Sequence, residues 1–157
     1  MKTAAVLTIS DSSFQGKRED ISGPTIVRQL EAAGFQVIKT ITVPDERVHI
    51  QKQLIECSRQ AQLVVTVGGT GVAARDVTPE ATMAVAEKLV PGIAEKMRTE
   101  GAKKTPFAAL SRGVCGIRGK ALLLNLPGSP TAAGESLQAV LDILPHALEL
   151  LTGNTEH

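Results

Sequence analysis

Aromatic side chains are nearly missing from this chain, which has three Phe and no Tyr or Trp in 157 residues. Proteins that hold single-stranded nucleic acid stack bases on such rings, so that class is excluded. An excess of one charge sign is missing too: 17 basic and 16 acidic residues leave a net +1, which gives no general attraction to nucleic acid or to a lipid surface. Any anion bound here must be held by local groups. Cysteine is scarce. Cys57 and Cys115 are too few and too far apart for a metal cluster and read as free buried thiols of a reducing compartment. Met1 and Lys2 lead straight into a strand pattern with no signal peptide, and no apolar run approaches the roughly 20 residues of a membrane span. The expected location is the cytoplasm, with neither nucleic acid nor membrane as partner. The three histidines, His49, His146 and His157, read as surface or capping residues, and no Ser-His-Asp or Cys-His arrangement is evident.

With 43% apolar and 21% charged residues, the chain has the composition of an ordinary soluble globule and the length of one domain spanning 1–157. Residues 4–10 read as a buried strand, followed by a loop with Asp11, Ser12 and Ser13. Ser22 and Pro24 open a helix with Ile26, Val27 and Leu30 on one face, closed by Gly34. Residues 35–43 form a second strand, Pro44-Asp45 ends it, and a helix with Val48, Leu54, Ile55 and Cys57 runs on to a third strand at Leu63. This β-α-β-α-β-α order predicts a doubly wound α/β fold: three layers, with a mostly parallel central sheet and helices on both faces.

Further on, residues 81–88 read as helical, Pro91-Gly92 as a break, 93–100 as a helix closed by Gly101, and 105–112 as an ordered loop. Residues 114–117 and 121–126 are strands around a hairpin turn at Arg118-Gly119-Lys120. Ser129 and Pro130 open a helix through Leu144, Pro145 kinks or restarts it, Gly153 ends it, and the last residues fray.

The informative stretch is 63–82, LVVTVGGTGVAARDVTPEAT. Leu63 to Val67 are apolar or β-branched without alternation, as in a strand covered on both faces. Gly68, Gly69 and Gly71 follow, and glycine lets a phosphate approach backbone N–H groups with no Cβ in the way. Arg75 and Asp76 come next, and Thr78, Pro79 and Glu80 read as N-cap, first helical position and first-turn acid. Residues 69–74 formally satisfy the dinucleotide fingerprint G-x-G-x-x-A, but that fingerprint opens its helix inside the glycines, whereas here the helix waits for Thr78 and Pro79. The P-loop pattern is missing. A plain solvent-exposed turn is the other reading of these residues.

The carboxyl ends of the strands coincide in kind. Three deliver an acid, namely Asp11, Asp45 and Asp76, and two deliver glycine loops, 68–71 and 127–130. In an open α/β sheet all of these share one edge, where ligands bind. Each has a structural alternative: Asp45 can cap the next helix, Asp11 can hold a turn, and Gly128 can serve only the helix entry. Together they suit a Mg²⁺-nucleotide, since Mg²⁺ is commonly held by one or two carboxylates plus substrate phosphates. Arg75, Arg112 and Lys120 are the cations available to a transferred charge.

These motifs, LTISDSSF, TVPDE, VVTVGGTGVAARDVTPEAT and LSRGVCGIRGKALLLNLPGSP in that order, resemble the molybdopterin adenylyltransferase family of molybdenum-cofactor biosynthesis, which includes domains like the N-terminal one of gephyrin. The resemblance covers nearly the whole chain, with Ala74 standing where the family often has proline. It implies transfer of AMP from ATP to the terminal phosphate of molybdopterin with release of pyrophosphate, a homotrimer, and transient contact with a separate molybdate-insertion protein. By position it makes Asp45 and Asp76 catalytic, with Mg²⁺ between them. Binding falls to Ser10 and Asp11, to Gly68, Gly69, Thr70, Gly71 and Arg75, to Ser111 and Arg112, and to Asn125, Pro127, Gly128 and Ser129. A non-catalytic molybdopterin-binding or scaffold protein of the same fold is the alternative.

Overall fold

The computed structural model describes residues 1–154. The expected fraying of the chain end and His157 lie outside the described residues. In order the elements are β1 (Thr3–Ile9), α1 (Asp11–Phe14), α2 (Ser22–Ala32), β2 (Gln36–Val43), α3 (Arg47–Ser58), β3 (Leu63–Val67), α4 (Thr78–Val85), β4 (Lys88–Leu89), α5 (Pro91–Ala102), a 3₁₀ turn (Pro106–Leu110), β5 (Cys115–Arg118), β6 (Ala121–Leu126), α6 (Pro130–Val140) and α7 (Leu144–Leu151). One six-stranded sheet has the order β2-β1-β3-β6-β5-β4. Strands β2, β1, β3 and β6 run parallel, the β5–β6 hairpin adds β5 antiparallel to them, and β4 pairs antiparallel with β5.

The unbroken apolar runs sort by position, because successive side chains of a strand point to opposite faces. From β1, Ala4 and Val6 join one core, while Ala5, Leu7 and Ile9 join the other. From β6, Leu122, Leu124 and Leu126 share the first core, while Leu123 lies in the second. The first core is covered by α2, α5, α6 and α7, through residues such as Leu30, Met97, Leu137 and Leu148. The second is covered by α3 and α4, through Ile50, Leu54 and Ala81. The predicted three layers follow.

Connections leave β1 and β3 in opposite directions along the sheet, since β1 leads out to β2 on one side while β3 pairs on the other and neighbours β6. That switch point opens a crevice at the carboxyl ends of the strands.

Several local expectations are corrected. Asp11 sits not in an open loop but in the single turn α1, capped by Ser10 Oγ, which accepts from Ser13 N. The helix after Thr78 stops at Val85 instead of running to Lys88, because Glu87 N–H donates to Ile117 O and Val90 N–H to Cys115 O, which pulls Lys88–Leu89 onto the sheet as an edge strand. Pro91 and Gly92 form the first turn of α5 rather than a break before it, and Gly101 lies inside that helix. Residues 106–110 of the expected loop wind into a 3₁₀ turn capped by Thr105. Helix α6 ends at Val140, and Pro145 belongs to the first turn of α7, as its missing N–H requires. Val77, not Thr78, is the N-cap of α4.

Candidate active site

The loop after β3 is threaded through spaces that only glycine leaves open. At Gly68 φ is +106°, and a Cβ there would lie 2.3 Å from the carbonyl oxygen of Ile9 at the end of β1. At Gly69 φ is +69°, and a Cβ would lie 2.2 Å from Thr78 Oγ1 and 3.1 Å from Asp45 Oδ1. A Cβ on Gly71 would meet Asp76 Oδ2 at 2.9 Å. The loop therefore lies against β1, against α4 and against two carboxylates at once. A Cβ on Gly128, in the loop after β6, would meet only Gly68 Cα, at an ordinary 3.5 Å.

The acids at the ends of β1 and β2 hold each other. Asp11 N–H donates to Asp45 Oδ2 and Asp45 N–H to Asp11 Oδ1, both at 2.9 Å. Arg75 reaches across from the glycine loop and grips Asp11 in a fork, with Nε to Oδ2 at 2.6 Å and Nη2 to Oδ1 at 3.1 Å. The Arg75 hydrogen bond holds the Asp11 carboxyl below its usual range. Asp45 behaves oppositely: burial first, then the like charges of Asp11 and Asp76, push its carboxyl up despite the N–H of Asp11. Asp76 turns back on its own loop, accepting from Ala73 N at 3.0 Å.

Arg112 and Asn125 are brought to the site, where their side-chain N–H groups are taken by neighbouring residues. The Arg112 guanidinium donates to Gly71 O at 2.7 Å, to Asp76 O at 2.8 Å and to both oxygens of Glu80 at 2.7 and 3.1 Å. Its own N–H donates to Thr70 O at 2.8 Å. It is a clamp on the loop, and it holds Glu80 below the ordinary carboxylate range. The buried Asn125 amide donates to Thr66 Oγ1 and Thr82 Oγ1 and accepts from Val114 N. Ser129 caps α6 through its Oγ, and Gly128 O accepts from Ser22 Oγ at 2.6 Å. Lys120 does not belong here: it precedes β6 in the hairpin turn, at the opposite edge of the sheet. His49 pairs with Glu46 at 2.8 Å, as a surface residue.

Two cavities open at this edge, of about 520 and 390 Å³. The larger is walled by Met97, Phe107 and Leu110 as well as Thr70 and Ser111. The smaller holds Ser10, Asp45, Asp20, Arg18 and Gly68. Gly69, Asp76, Gly128 and Ser129 line both. Sequence reasoning missed Asp20, whose carboxylate accepts from Thr8 Oγ1 at 2.6 Å and Gly23 N at 2.9 Å, and it read Glu80 only as a first-turn acid. It also missed the apolar wall, because the residues of α5 and the 3₁₀ turn carry no motif.

Asp45 and Asp76 are the pair that could hold a cation. Burial and neighbouring negative charge oppose the ionised form of Asp45, and a positive ion would relieve both. Among the described residues no cluster of three or more His, Cys, Asp or Glu could hold a metal unaided. This donor set fits Mg²⁺, which takes oxygen ligands and completes its shell from phosphates and water.

Known proteins resemble this chain over nearly its whole length. A family model described as "Probable molybdopterin binding domain" matches residues 5–146. The molybdopterin adenylyltransferase of Helicobacter pylori is 44% identical over 153 residues, covering 95% of this chain and 87% of that protein. The molybdenum cofactor synthesis protein cinnamon of Drosophila melanogaster is 48% identical over 154 residues, of whose length this chain spans 25%. The crystal structure of the molybdopterin biosynthesis enzyme MoaB from Thermus thermophilus superposes with a TM-score of 0.92 at 50% identity, covering 98% of both chains. The chain belongs to the molybdopterin-binding domain family.

Proposed function

We propose that this protein is a molybdopterin adenylyltransferase, which moves AMP from ATP to the terminal phosphate of molybdopterin and releases pyrophosphate. The observation that carries the reading is the pair of cavities meeting at Gly69, Asp76, Gly128 and Ser129. A group-transfer enzyme with two sizeable substrates needs two adjoining chambers with the reacting atoms at their junction. The lobe walled by Met97, Phe107 and Leu110 suits the flat pterin, and the lobe holding Asp45 suits the nucleotide phosphates. An oxygen of the pterin phosphate forms a bond to the α-phosphorus, and the bond from that phosphorus to the bridging oxygen of the β-phosphate breaks. The nucleophile is already an anion and the leaving group departs as one, so positioning and charge neutralisation matter more than a general base. Mg²⁺, held by Asp45 and Asp76, would supply that neutralisation when bound. The backbone of residues 69–71 and Thr131 in the first turn of α6 offer N–H groups to phosphate oxygens, while Gly68 N–H is given to Leu126 O and Ala132 N–H to Ser129 Oγ. Arg75 and Arg112 hold the loop in shape, through Asp11 and Glu80.

The same reading makes residues 1–157 one catalytic unit, working in the cytoplasm as a homotrimer and handing its product to a separate molybdate-insertion protein. Two buried cysteines with no disulfide suit a reducing compartment, and no helix among the described residues is long and apolar enough to cross a membrane. The test is incubation with molybdopterin, ATP and Mg²⁺, followed by chromatography for the adenylylated pterin. Pterin binding without product under any metal condition would point to a non-catalytic binder. Light scattering at micromolar concentration should report a trimer.

A further inference from the structure

One buried side-chain polar atom among the described residues has no hydrogen-bond partner: Oγ1 of Thr78, in a residue with no exposed surface. A buried hydroxyl left unpaired is costly, and native proteins seldom keep one without a use. Thr82, one turn further along α4, shows the usual outcome, since its hydroxyl donates to Thr78 O at 2.9 Å and accepts from Asn125. Thr78 does neither. It touches neither cavity directly but lies beneath Gly69, where its N–H donates to Gly69 O at 3.1 Å. A Cβ on Gly69 would sit 2.2 Å from Thr78 Oγ1 and 3.1 Å from Asp45 Oδ1. The hydroxyl and the carboxylate oxygen thus flank one small space that glycine alone keeps clear. The other Asp45 oxygen, Oδ2, is occupied by the N–H of Asp11.

We infer that Thr78 is a positioning residue for AMP transfer, its hydroxyl donating to Oδ1 of Asp45 once loop 68–71 settles on a phosphate. The carboxylate is then fixed through both oxygens, by Asp11 N–H on one side and the Thr78 hydroxyl on the other. The hydroxyl left unpaired is a donor held ready. The inference rests on the role given above to Asp45, and the experiment separates the two.

Thr78→Val keeps the shape and removes the hydroxyl. It should melt at or above the parent temperature, since an unpaired buried polar group is gone, yet lose about 10-fold in kcat/KM for ATP, the scale of one hydrogen bond to a charged group. Thr78→Ser should restore most of that loss. ATP with Mg²⁺ should raise the melting temperature of Thr78→Val by less than half of the rise seen for the parent. In the double variant with Asp45→Asn, transfer should be no slower than in Asp45→Asn alone, because the hydroxyl acts only through that carboxylate. Thr78→Ala carries the same comparison should the valine variant fail to fold. Transfer at the parent rate in Thr78→Val while Asp45→Asn is inactive overturns the inference and leaves Asp45 its role. A double variant markedly slower than Asp45→Asn overturns it as well, and a fully active Asp45→Asn removes both.

Discussion

Both loops at the carboxyl edge carry glycine, three in 68–71 and one in 127–130, and they differ in how they are held. Loop 68–71 is held on several sides: by the Ile9 carbonyl under Gly68, by Thr78 and Asp45 under Gly69, and by the Arg112 Nε hydrogen bond to Gly71 O. In loop 127–129 a Cβ on Gly128 would meet only Gly68 Cα, and the geometry is held by the Ser129 cap, the Ser22 hydroxyl and the Gly68 N–H bond to Leu126 O. A run of glycines can therefore mean that a backbone is constrained too tightly for any other residue, or only that it lies close to something. Close packing on several sides separates the two cases.

The hardest test of that contrast is Gly68→Ala. The positive φ and a backbone oxygen 2.3 Å from the new Cβ leave no easy relaxation, so a loss of about 4 kcal/mol is expected. Urea denaturation should show it together with abolished transfer. Next is Asp76→Asn, which should leave the urea midpoint and pterin binding nearly unchanged while slowing AMP transfer roughly 10²- to 10³-fold, the effect of removing one preorganised electrostatic partner. Both quantities are to be measured on one preparation, and joint loss would show that Asp76 holds the loop rather than serves the chemistry. Arg112→Lys should cost about 1.5 kcal/mol by the same denaturation assay, because an ammonium cannot span Gly71 O, Asp76 O and Glu80 together.

The tie from Arg75 to Asp11 should show itself in acid. A carboxyl held below its usual value in the folded protein contributes stability above the ordinary carboxylate range, lost as pH falls through the lowered folded value. Arg75→Met should flatten that part of the acid limb in a melting-temperature profile and leave the profile near neutrality less altered in shape. The smallest effect belongs to the second loop: Gly128→Ala should change the urea midpoint by no more than about 0.5 kcal/mol, since its Cβ meets an atom at contact distance and φ is not positive. A loss comparable to that of Gly68→Ala would erase the distinction between the loops.

Much of the architecture was legible because it depends on local pattern. LVVTV and ALLLNL are short, apolar and uninterrupted, which marks strands covered on both sides, and the acids that follow β1, β2 and β3 stand at the turns where such strands end. What stayed hidden is what depends on pairs distant in the chain. Glu80 looks like a helix-start acid until Arg112 arrives from another segment, and nothing in the sequence pairs Asn125 with Thr66 and Thr82, which take its donors. Thr78 has the sequence of an N-cap, yet the helix begins on it and strands its hydroxyl. Strand β4 has only two residues, and it pairs because β5 presents an edge, not because its own sequence asks for extension.

Asn125 ties β3, α4 and the approach to β5 into one block, and this sets how amide protons should leave the molecule. The Val114 N–H, bound to the side chain of the buried Asn125, should exchange with deuterium only through a larger opening that also breaks the bonds of Asn125 to Thr66 and Thr82. The Ala73 N–H, given to Asp76 on an exposed stretch of the same site, should exchange by small openings. Substrate would then close a protected frame over an unprotected rim, and slowed exchange on binding should be confined to the rim.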